Sequence, residues 1–399
     1  MTPVTTIFAV LLGAIPLAWA ARAWLQSATG NAPRWRDMPL SVAWGYVIGA
    51  AIVAWLIYTY FLAVTADRLP TDTYFFFRNA VNGFVIFAVA AWLFRVLGRT
   101  VGTEETKKLF RSMPLTASFG ILVIIIYAIV SIFAGAIAPY GQEEVLANAN
   151  VVPGGNPAVG GDPAYPLGTD QIGRDILSRL IYGAQNTVGI AFVTTLLAFF
   201  IGGTLGFLAA TLQGWLDQVI SRAVDVLMAI PALIFALLLM TIATVWANEF
   251  GINRTYFMVV IIAVIDSTRV FRLARAVGLN IVVMDYIEAA KLRGEGLSYL
   301  IFKEILPNAT APLLAEFGLR FCFVFLTIAS LSFLGVGIQP PLADWGTMVK
   351  DLAQFINFAA FAPQVATAPL LAAGAIALLT VAVNFVVDWM LHKSSGLKE

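Results

Sequence analysis

Residues 285–308 read DYIEAAKLRGEGLSYLIFKEILPN, a charged stretch that lies between two long apolar runs. The residues from Glu288 to Arg293 are good helix formers, and Gly294 can end that helix in a left-handed conformation. A second helix is expected to stop at Pro307. Its apolar residues recur at helical spacing and form a stripe: Leu297, Leu300, Ile301 and Ile305. Two short helices with such a stripe suit a groove on a partner protein. The alternative is an amphipathic loop without a partner.

The flanking runs indicate a membrane protein. The 399 residues are 60% hydrophobic and 12% charged, with a mean hydropathy of +0.86, whereas soluble domains carry about 25% charged residues. Crossing a bilayer takes about 20 apolar residues, and only helices satisfy the backbone of such segments without closing a barrel. The predicted fold is therefore an all-α integral membrane protein with nine spans, at residues 5–26, 41–64, 74–97, 114–139, 186–211, 219–246, 255–276, 313–335 and 366–391.

The first predicted span has two interpretations. It ends near Ala18-Trp19-Ala20, which is similar to a signal-peptidase site. However, no Lys or Arg precedes the run, and a signal peptide has a positively charged start. We therefore expect a retained helix, with a cleaved signal peptide as the alternative.

Positive charges orient the nine spans. They follow spans one, three and seven and recur in the tail, at Arg34, Arg36, Arg99, Lys107, Lys108, Arg111, Lys291, Arg293, Lys303, Lys393 and Lys398. These segments all lie on one side, which the positive-inside rule makes cytoplasmic. The prediction is an outside N-terminus, a cytoplasmic C-terminus, an outer loop at 140–185 and a cytoplasmic loop at 277–312.

Composition also excludes several functions. Cys322 is the only cysteine and His392 the only histidine, which excludes an intrachain disulfide and argues against a metal centre or histidine catalysis. The net charge of +1 gives no basic field for nucleic acid. No G-x-x-x-x-G-K-[ST] sequence is present, so the chain has no phosphate-binding loop of that type. We predict no catalytic residue, metal site or cofactor bound by this chain.

The stretch at 285–308 resembles the EAA loop of ABC importer permeases. The matching positions are Glu288, Ala289, Ala290, Gly294, Ile305, Leu306 and Pro307. The resemblance implies that this loop docks on an ATP-hydrolysing subunit, with small alanines close to its groove. One position departs from the peptide-type pattern, since Glu304 stands where those members often have histidine.

A second stretch, YPLGTDQIGRDILSRLIYGA at residues 165–184, resembles a motif of dipeptide and oligopeptide permeases. Its outer-face positions are Pro166, Leu167, Gly168, Thr169, Asp170, Gly173, Arg174 and Asp175. From the residues themselves, Thr169 or Asp170 can cap a helix. The apolar side of that helix is Ile172, Ile176, Leu177 and Leu180. The two aspartates also admit a metal or acid–base site, but we favour a cap and a solvated face with Arg174 and Arg179.

The resemblance covers about residues 105–395. It implies a type I ABC importer permease core of six helices at 105–399, to which residues 1–104 add about three spans. It also implies partners: a second, usually different permease, two ATPases that use ATP and Mg²⁺, and an extracytoplasmic substrate-binding protein. The expected location is the cytoplasmic (inner) membrane of a bacterium or archaeon, in contact with lipid. Dipeptides, oligopeptides, nickel complexes and other solutes remain open as substrates.

Polar residues within the predicted spans have two interpretations, a lining of the pathway or a position at a helix end. The residues are Asp225, Asp266, Arg269, Asn384 and Asp388. For Asp225, Arg269 and Asp388 we favour the helix end. Gly202 and Gly206 indicate close helix packing. A self-contained transporter, with ionisable pairs at the bilayer midplane, and a membrane-embedded enzyme are the competing functions.

Overall fold

The computed structural model describes residues 72–101, 103–146, 148–155, 157, 160–358 and 363–394. Within these ranges the chain is helical, with isolated β-bridges and no strand. Predicted spans 5–26 and 41–64 lie outside the described residues. The chain divides into two compact units, Met1–Ile86 and Phe87–Glu399. The predicted domain boundary after residue 104 stays a prediction.

We number the main described helices in chain order. They are α1 (Asp72–Thr100), α2 (Glu104–Ser112), α3 (Leu115–Ile132), α4 (Ala134–Ile137), α5 (Ile176–Leu212), α6 (Gly214–Ala229), α7 (Ala232–Phe250), α8 (Arg254–Val282), α9 (Asp285–Leu292), α10 (Leu297–Phe333), α11 (Trp345–Leu352) and α12 (Thr367–Ser394). By length and composition, five described helices can cross a membrane: α3, α5, α7, α10 and α12. This confirms the all-α membrane fold.

The predicted span at 219–246 is wrong, because the chain breaks at Ile230-Pro231. Proline has no amide hydrogen to donate and disfavours helical geometry in the residue before it. Ile230 is accordingly extended, with φ −88° and ψ 130°. Pro231 therefore precedes a spanning helix, α7, instead of lying inside one.

Two spanning helices begin earlier than predicted. Helix α5 starts at Ile176 instead of residue 186, and passes through a π-helical turn at Ala184–Val188. Helix α10 starts at Leu297 instead of residue 313, with a π-helical turn at Leu300–Ile305.

The prediction that Pro307 stops a second short helix is therefore wrong. In the turn before it, the Leu306 amide donates to the Ile301 carbonyl, five residues back. Such a widened turn accommodates a residue that cannot join the regular hydrogen-bond ladder. The segment around Pro307, for which we predicted a cytoplasmic position, is thus continuous with the spanning part of α10.

Helices α5 and α8 make the most extensive helix–helix contact in the described chain. A Cβ atom at Gly206 would lie 2.7 Å from Ala274 Cβ and 2.8 Å from the Phe271 carbonyl oxygen. A Cβ at Gly202 would collide with the backbone oxygen of Ser267. The predicted packing role of both glycines is confirmed, since only glycine permits this approach.

This packing gives a stability test. We expect Gly206→Ala to destabilise the protein by about 1–3 kcal/mol, because the methyl group must push two helices apart. The measurement is the thermal unfolding midpoint in detergent.

The matched control is Gly203→Ala on the same helix, where a Cβ would meet nothing within 4 Å. This variant is expected to unfold at or slightly above the original midpoint, because alanine favours helix. Equal midpoints for both variants would contradict the packing account.

Candidate functional site

Helix α9 is the centre of the candidate site. It runs from Asp285 to Leu292 and is followed by Gly294 with φ +81°. The Glu295 amide then donates to the Ala290 carbonyl at 3.2 Å, which closes the helix end. The left-handed conformation predicted for Gly294 is confirmed.

The inner side of α9 is anchored in the chain's own core. Ile287 and Ala290 are fully buried, where they join residues of three other helices. The buried cluster contains Phe207 of α5, Ala274, Ile281 and Val282 of α8, and Leu300, Ile301, Ile305 and Ala309 of α10. The apolar stripe that we assigned to a partner's groove therefore packs inside this chain. Any displacement of α9 acts directly on α5, α8 and α10.

A different apolar set is exposed on α9 and in the turn that precedes it, and we call this set the coupling surface. It consists of Val283 and Met284 of the turn and of Tyr286 and Leu292 of α9. Leu292 is 83% exposed, although burying a leucine side chain is worth about 1.5–3 kcal/mol. Exposed apolar side chains gathered in one short segment are typical of a protein-binding surface.

The structure divides the seven predicted docking residues. Glu288, Ala289, Gly294 and Pro307 are exposed, Leu306 is half-buried, and Ala290 and Ile305 are buried. The departing residue, Glu304, lies 3.9 Å from Arg293 and so faces the end of α9. The docking role of these residues stays a prediction.

Two ion pairs tie α6 to α8 beside this region. Arg272 contacts Asp225 at 2.6 Å, and Arg275 donates to Asp217 at 2.6 Å. The Arg275 guanidinium holds the pKa of Asp217 below its usual value. Asp225 belongs to α6, which is not one of the five spanning helices, and its side chain is exposed. The pairs fix α6 against the helix that leads into α9.

At the other end of α5, part of the outer-face motif forms a buried cluster of hydrogen bonds around Asp170, which we call the knot. The Asp170 carboxylate accepts hydrogen bonds from the amides of Ile172 and Arg174, and from Arg174 Nε at 2.7 Å. Arg179 Nε lies 3.8 Å from the same carboxylate. Because Arg179 is only 4% exposed, the solvated face that we predicted here is wrong.

The predicted helix cap is also corrected. Asp175, not Thr169 or Asp170, caps α5, with its carboxylate accepting from the Ser178 amide at 2.7 Å. Of the predicted apolar side, Ile176 is buried, whereas Ile172 lies before the helix and is exposed. Asp175 is the cap because it directly precedes the first residue of α5, where its carboxylate can accept a hydrogen bond from a free amide of the first turn.

Thr169 and Gly168 join this knot to the preceding loop. The Thr169 hydroxyl donates to the Asn148 carbonyl at 2.7 Å and accepts from the Val151 amide at 3.0 Å. Gly168 has φ +78°, and a side chain there would collide with the Val151 carbonyl oxygen. Gly173, Leu167 and Pro166 belong to the same packed segment; Leu167 packs on the main core and the Pro166 carbonyl accepts from Gly154.

Asp344 is a buried residue to which the sequence analysis gave no role. It caps α11, and its carboxylate accepts from the Thr347 amide at 2.9 Å and the Thr187 hydroxyl at 2.8 Å. Burial raises the pKa of the Asp344 carboxyl. The signal in the sequence was Asp followed three residues later by Thr, at the start of a helical pattern.

Helices α8 and α10 share an ionic cluster, which consists of Asp266, Arg269, Glu316 and Arg320. Arg320 Nε lies 2.6 Å from Glu316, and Arg320 Nη1 lies 3.7 Å from Asp266. Arg269 lies 3.9 Å from Asp266 and sits in the middle of α8, so its predicted position at a helix end is wrong. The i,i+4 spacing of Glu316 and Arg320 within a predicted span was the missed signal.

The remaining polar residues lie in α12. Asp388 is exposed near the end of that helix, in line with the interpretation that we favoured, and Asn384 is half-buried. In the part of the chain that the structure describes, no group of three or more His, Cys, Asp or Glu side chains is placed to hold a metal ion.

Comparisons with known proteins agree with this architecture. Residues 202–393 match the family model of the binding-protein-dependent transport system inner membrane component. The dipeptide transport system permease protein DppC of Haemophilus influenzae is 38% identical over 61% of this chain and 79% of its own length. The Escherichia coli K12 protein of that name is 37% identical over 61% of this chain and 78% of its own length. The glutathione transport system permease protein GsiD of Pectobacterium atrosepticum is 32% identical, over 73% and 89%.

The knot around Asp170 gives a second test. We expect Asp170→Asn to cost about 3–5 kcal/mol of stability, because it leaves the buried Arg179 without its compensating charge. The measurements are the unfolding midpoint in detergent and the rate of proteolysis within residues 140–175.

Glu143→Gln is the matched control, since Glu143 is an exposed carboxylate of the same outer segment. It should leave both measurements unchanged. An Asp170→Asn protein as stable as this control would show that the carboxylate does not hold the segment together.

Proposed function

Because the chain belongs to the family of binding-protein-dependent transport system inner membrane components, we propose that it is the permease subunit of an ATP-driven peptide importer. The observation that carries the proposal is α9, which is anchored by Ile287 and Ala290 and exposes the coupling surface. The names of the relatives support peptides as the cargo, since they describe dipeptide and glutathione permeases.

The proposed assembly needs four kinds of chain. A second permease completes the pathway, two ATPases bind below the membrane, and a substrate-binding protein delivers peptide from outside. ATP and Mg²⁺ are used in the ATPases, because this sequence has no phosphate-binding loop. This chain itself contributes no catalytic residue.

The proposed mechanism is mechanical. ATP binding closes the two ATPases, which moves the groove that holds the coupling surface. Since Ile287 and Ala290 pack against α5, α8 and α10, these helices move with α9 and open or close the pathway. A packed interior transmits such a displacement because it is nearly incompressible.

The proposed location is the bacterial or archaeal inner membrane, with the N-terminus outside and the C-terminus in the cytoplasm. The positive charges support this orientation. It places α6, α9 and the coupling surface in or next to the cytoplasm, and the knot around Asp170 outside.

The ionic cluster favours a second candidate, a transporter that works without ATPases. Ionisable pairs at membrane depth are typical of secondary transporters. The two candidates differ in their energy source.

Uptake into proteoliposomes separates them. The chain is expressed with its neighbouring transport genes, purified as a complex, and reconstituted with the binding protein and a labelled dipeptide. We expect uptake with ATP and none with a non-hydrolysable analogue. Uptake by this chain alone, driven by an ion gradient, would overturn the importer proposal.

Docking of an ATPase has its own test. We expect Leu292→Ser to reduce the ATPase that co-purifies with the tagged chain by about tenfold, because the variant removes an apolar anchor worth about 1.5–3 kcal/mol. The second permease should still co-purify. The measurement is quantitative mass spectrometry of the purified complex.

Val145→Ser is the matched control, an exposed apolar residue of the outer segment. It should retain the ATPase fully. If Leu292→Ser keeps as much ATPase as this control, the coupling surface is not the docking site.

A further inference from the structure

The ionic cluster lies at membrane depth. The backbone of Ser267 packs against Gly202 of α5, and residues 202 to 212 extend about 15 Å further to the end of that helix. On α10, Arg320 precedes the end at Phe333 by about 20 Å of helix. Helix α8 is not among the five described helices that can cross a membrane by length and composition, but its neighbours α5 and α10 are. Since both distances are at least about half of a hydrocarbon layer about 30 Å thick, the position of the cluster along α5 and α10 corresponds to the interior of that layer.

Within the cluster, the two arginines are held differently. Arg320 lies between both carboxylates, at 2.6 Å from Glu316 and 3.7 Å from Asp266, and its side chain is 11% exposed. Arg269 contacts only Asp266, at 3.9 Å, and its side chain is 41% exposed. Among the described residues, neither Arg269 nor the buried Nε and Nη1 atoms of Arg320 make a hydrogen bond. Of the two arginines, the more exposed Arg269 is open to a further acceptor.

Asp266 shows that the cluster is incomplete in this chain. The residue is 7% exposed, and its Oδ2 atom has no hydrogen-bond partner among the described residues. A charge at this depth is costly against lipid. The face that carries Arg269 must therefore meet water or protein. In the proposed assembly this means the translocation pathway or the second permease.

An aromatic ring completes the site. Phe323 is 49% exposed, and the guanidinium carbons of Arg269 and Arg320 lie 5.7 Å and 4.7 Å from its centroid. The ring faces hold both guanidinium groups by cation–π attraction. Arg269 is thus a positioned, partly open cation beside an apolar surface.

We propose that Arg269 is a specificity-determining residue that binds the free α-carboxylate of the peptide as it passes through the membrane. A guanidinium offers paired donors that match a carboxylate, and Phe323 offers contact to the adjacent side chain. Asp266 is a positioning residue that holds Arg269 in place. This inference rests on the proposed function, since it names the group of the cargo that the pathway recognises.

The test compares a dipeptide with its C-terminal amide. Initial rates of ATP-driven uptake are measured for Ala-Ala and Ala-Ala-amide in proteoliposomes that contain the whole complex and its binding protein. The quantity of interest is the ratio of the two rates. The binding protein's own preference cancels when variants of this chain are compared by that ratio.

We expect Arg269→Gln to lower the acid-to-amide ratio about tenfold, the scale of one charge-assisted hydrogen bond. Arg269→Lys keeps the positive charge but not the paired donors of the guanidinium, and should lower the ratio about threefold. Arg272→Gln removes the same charge one turn along α8, where Arg272 pairs with Asp225, and should leave the ratio unchanged.

Two results would overturn the inference. The first is an Arg269→Gln complex that assembles with an unchanged acid-to-amide ratio, whether or not both rates fall, which would assign Arg269 to structure or to an acidic residue of the second permease. The second, if Arg269→Gln does not assemble, is an unchanged ratio in Arg269→Lys, which has the same meaning. Failure of the unaltered complex to import either peptide would instead overturn the proposed function.

Discussion

The close contact between α5 and α8 is the constraint on which the other features depend. Gly202 and Gly206 let the backbones of the two helices touch, and α9 packs against one end of this pair. The same contact sets the depth of Asp266 and Arg269. The coupling surface and the ionic cluster thus lie at two positions along one packed helix pair. For this reason a displacement of the coupling surface can also displace the ionic cluster.

Charge is distributed along this helix pair according to its surroundings. Near α9, Asp217 and Asp225 pair with arginines of α8. At the other end of α5, the Asp170 carboxylate pairs with Arg174 and Arg179 in the buried knot. In the ionic cluster, Arg269 is paired only loosely with Asp266, at 3.9 Å, and its side chain is 41% exposed. Buried charges normally need compensation, so a half-exposed arginine in this position is where another molecule can complete the site.

Much of this could be predicted from the sequence, because local rules decide it. Gly294 ends α9 as its residue type suggests, and the membrane fold follows from apolar length. The failures have a common cause: local rules do not include tertiary packing. Pro307 does not stop its helix, because a π-helical turn precedes it. The stripe beginning at Leu297 faces inward, because α9 folds over it. Arg269 is not at a helix end, because α8 continues to Val282.

The most direct test of the central claim is photo-crosslinking from position 292 in the native membrane. A photoreactive amino acid replaces Leu292, and the products are identified by mass spectrometry while the complex transports peptide. The account predicts one main adduct, between this chain and a nucleotide-binding ATPase subunit. An adduct only with lipid or within this chain, in a complex that still imports peptide, would contradict the assignment of α9 as the element that couples ATP hydrolysis to transport.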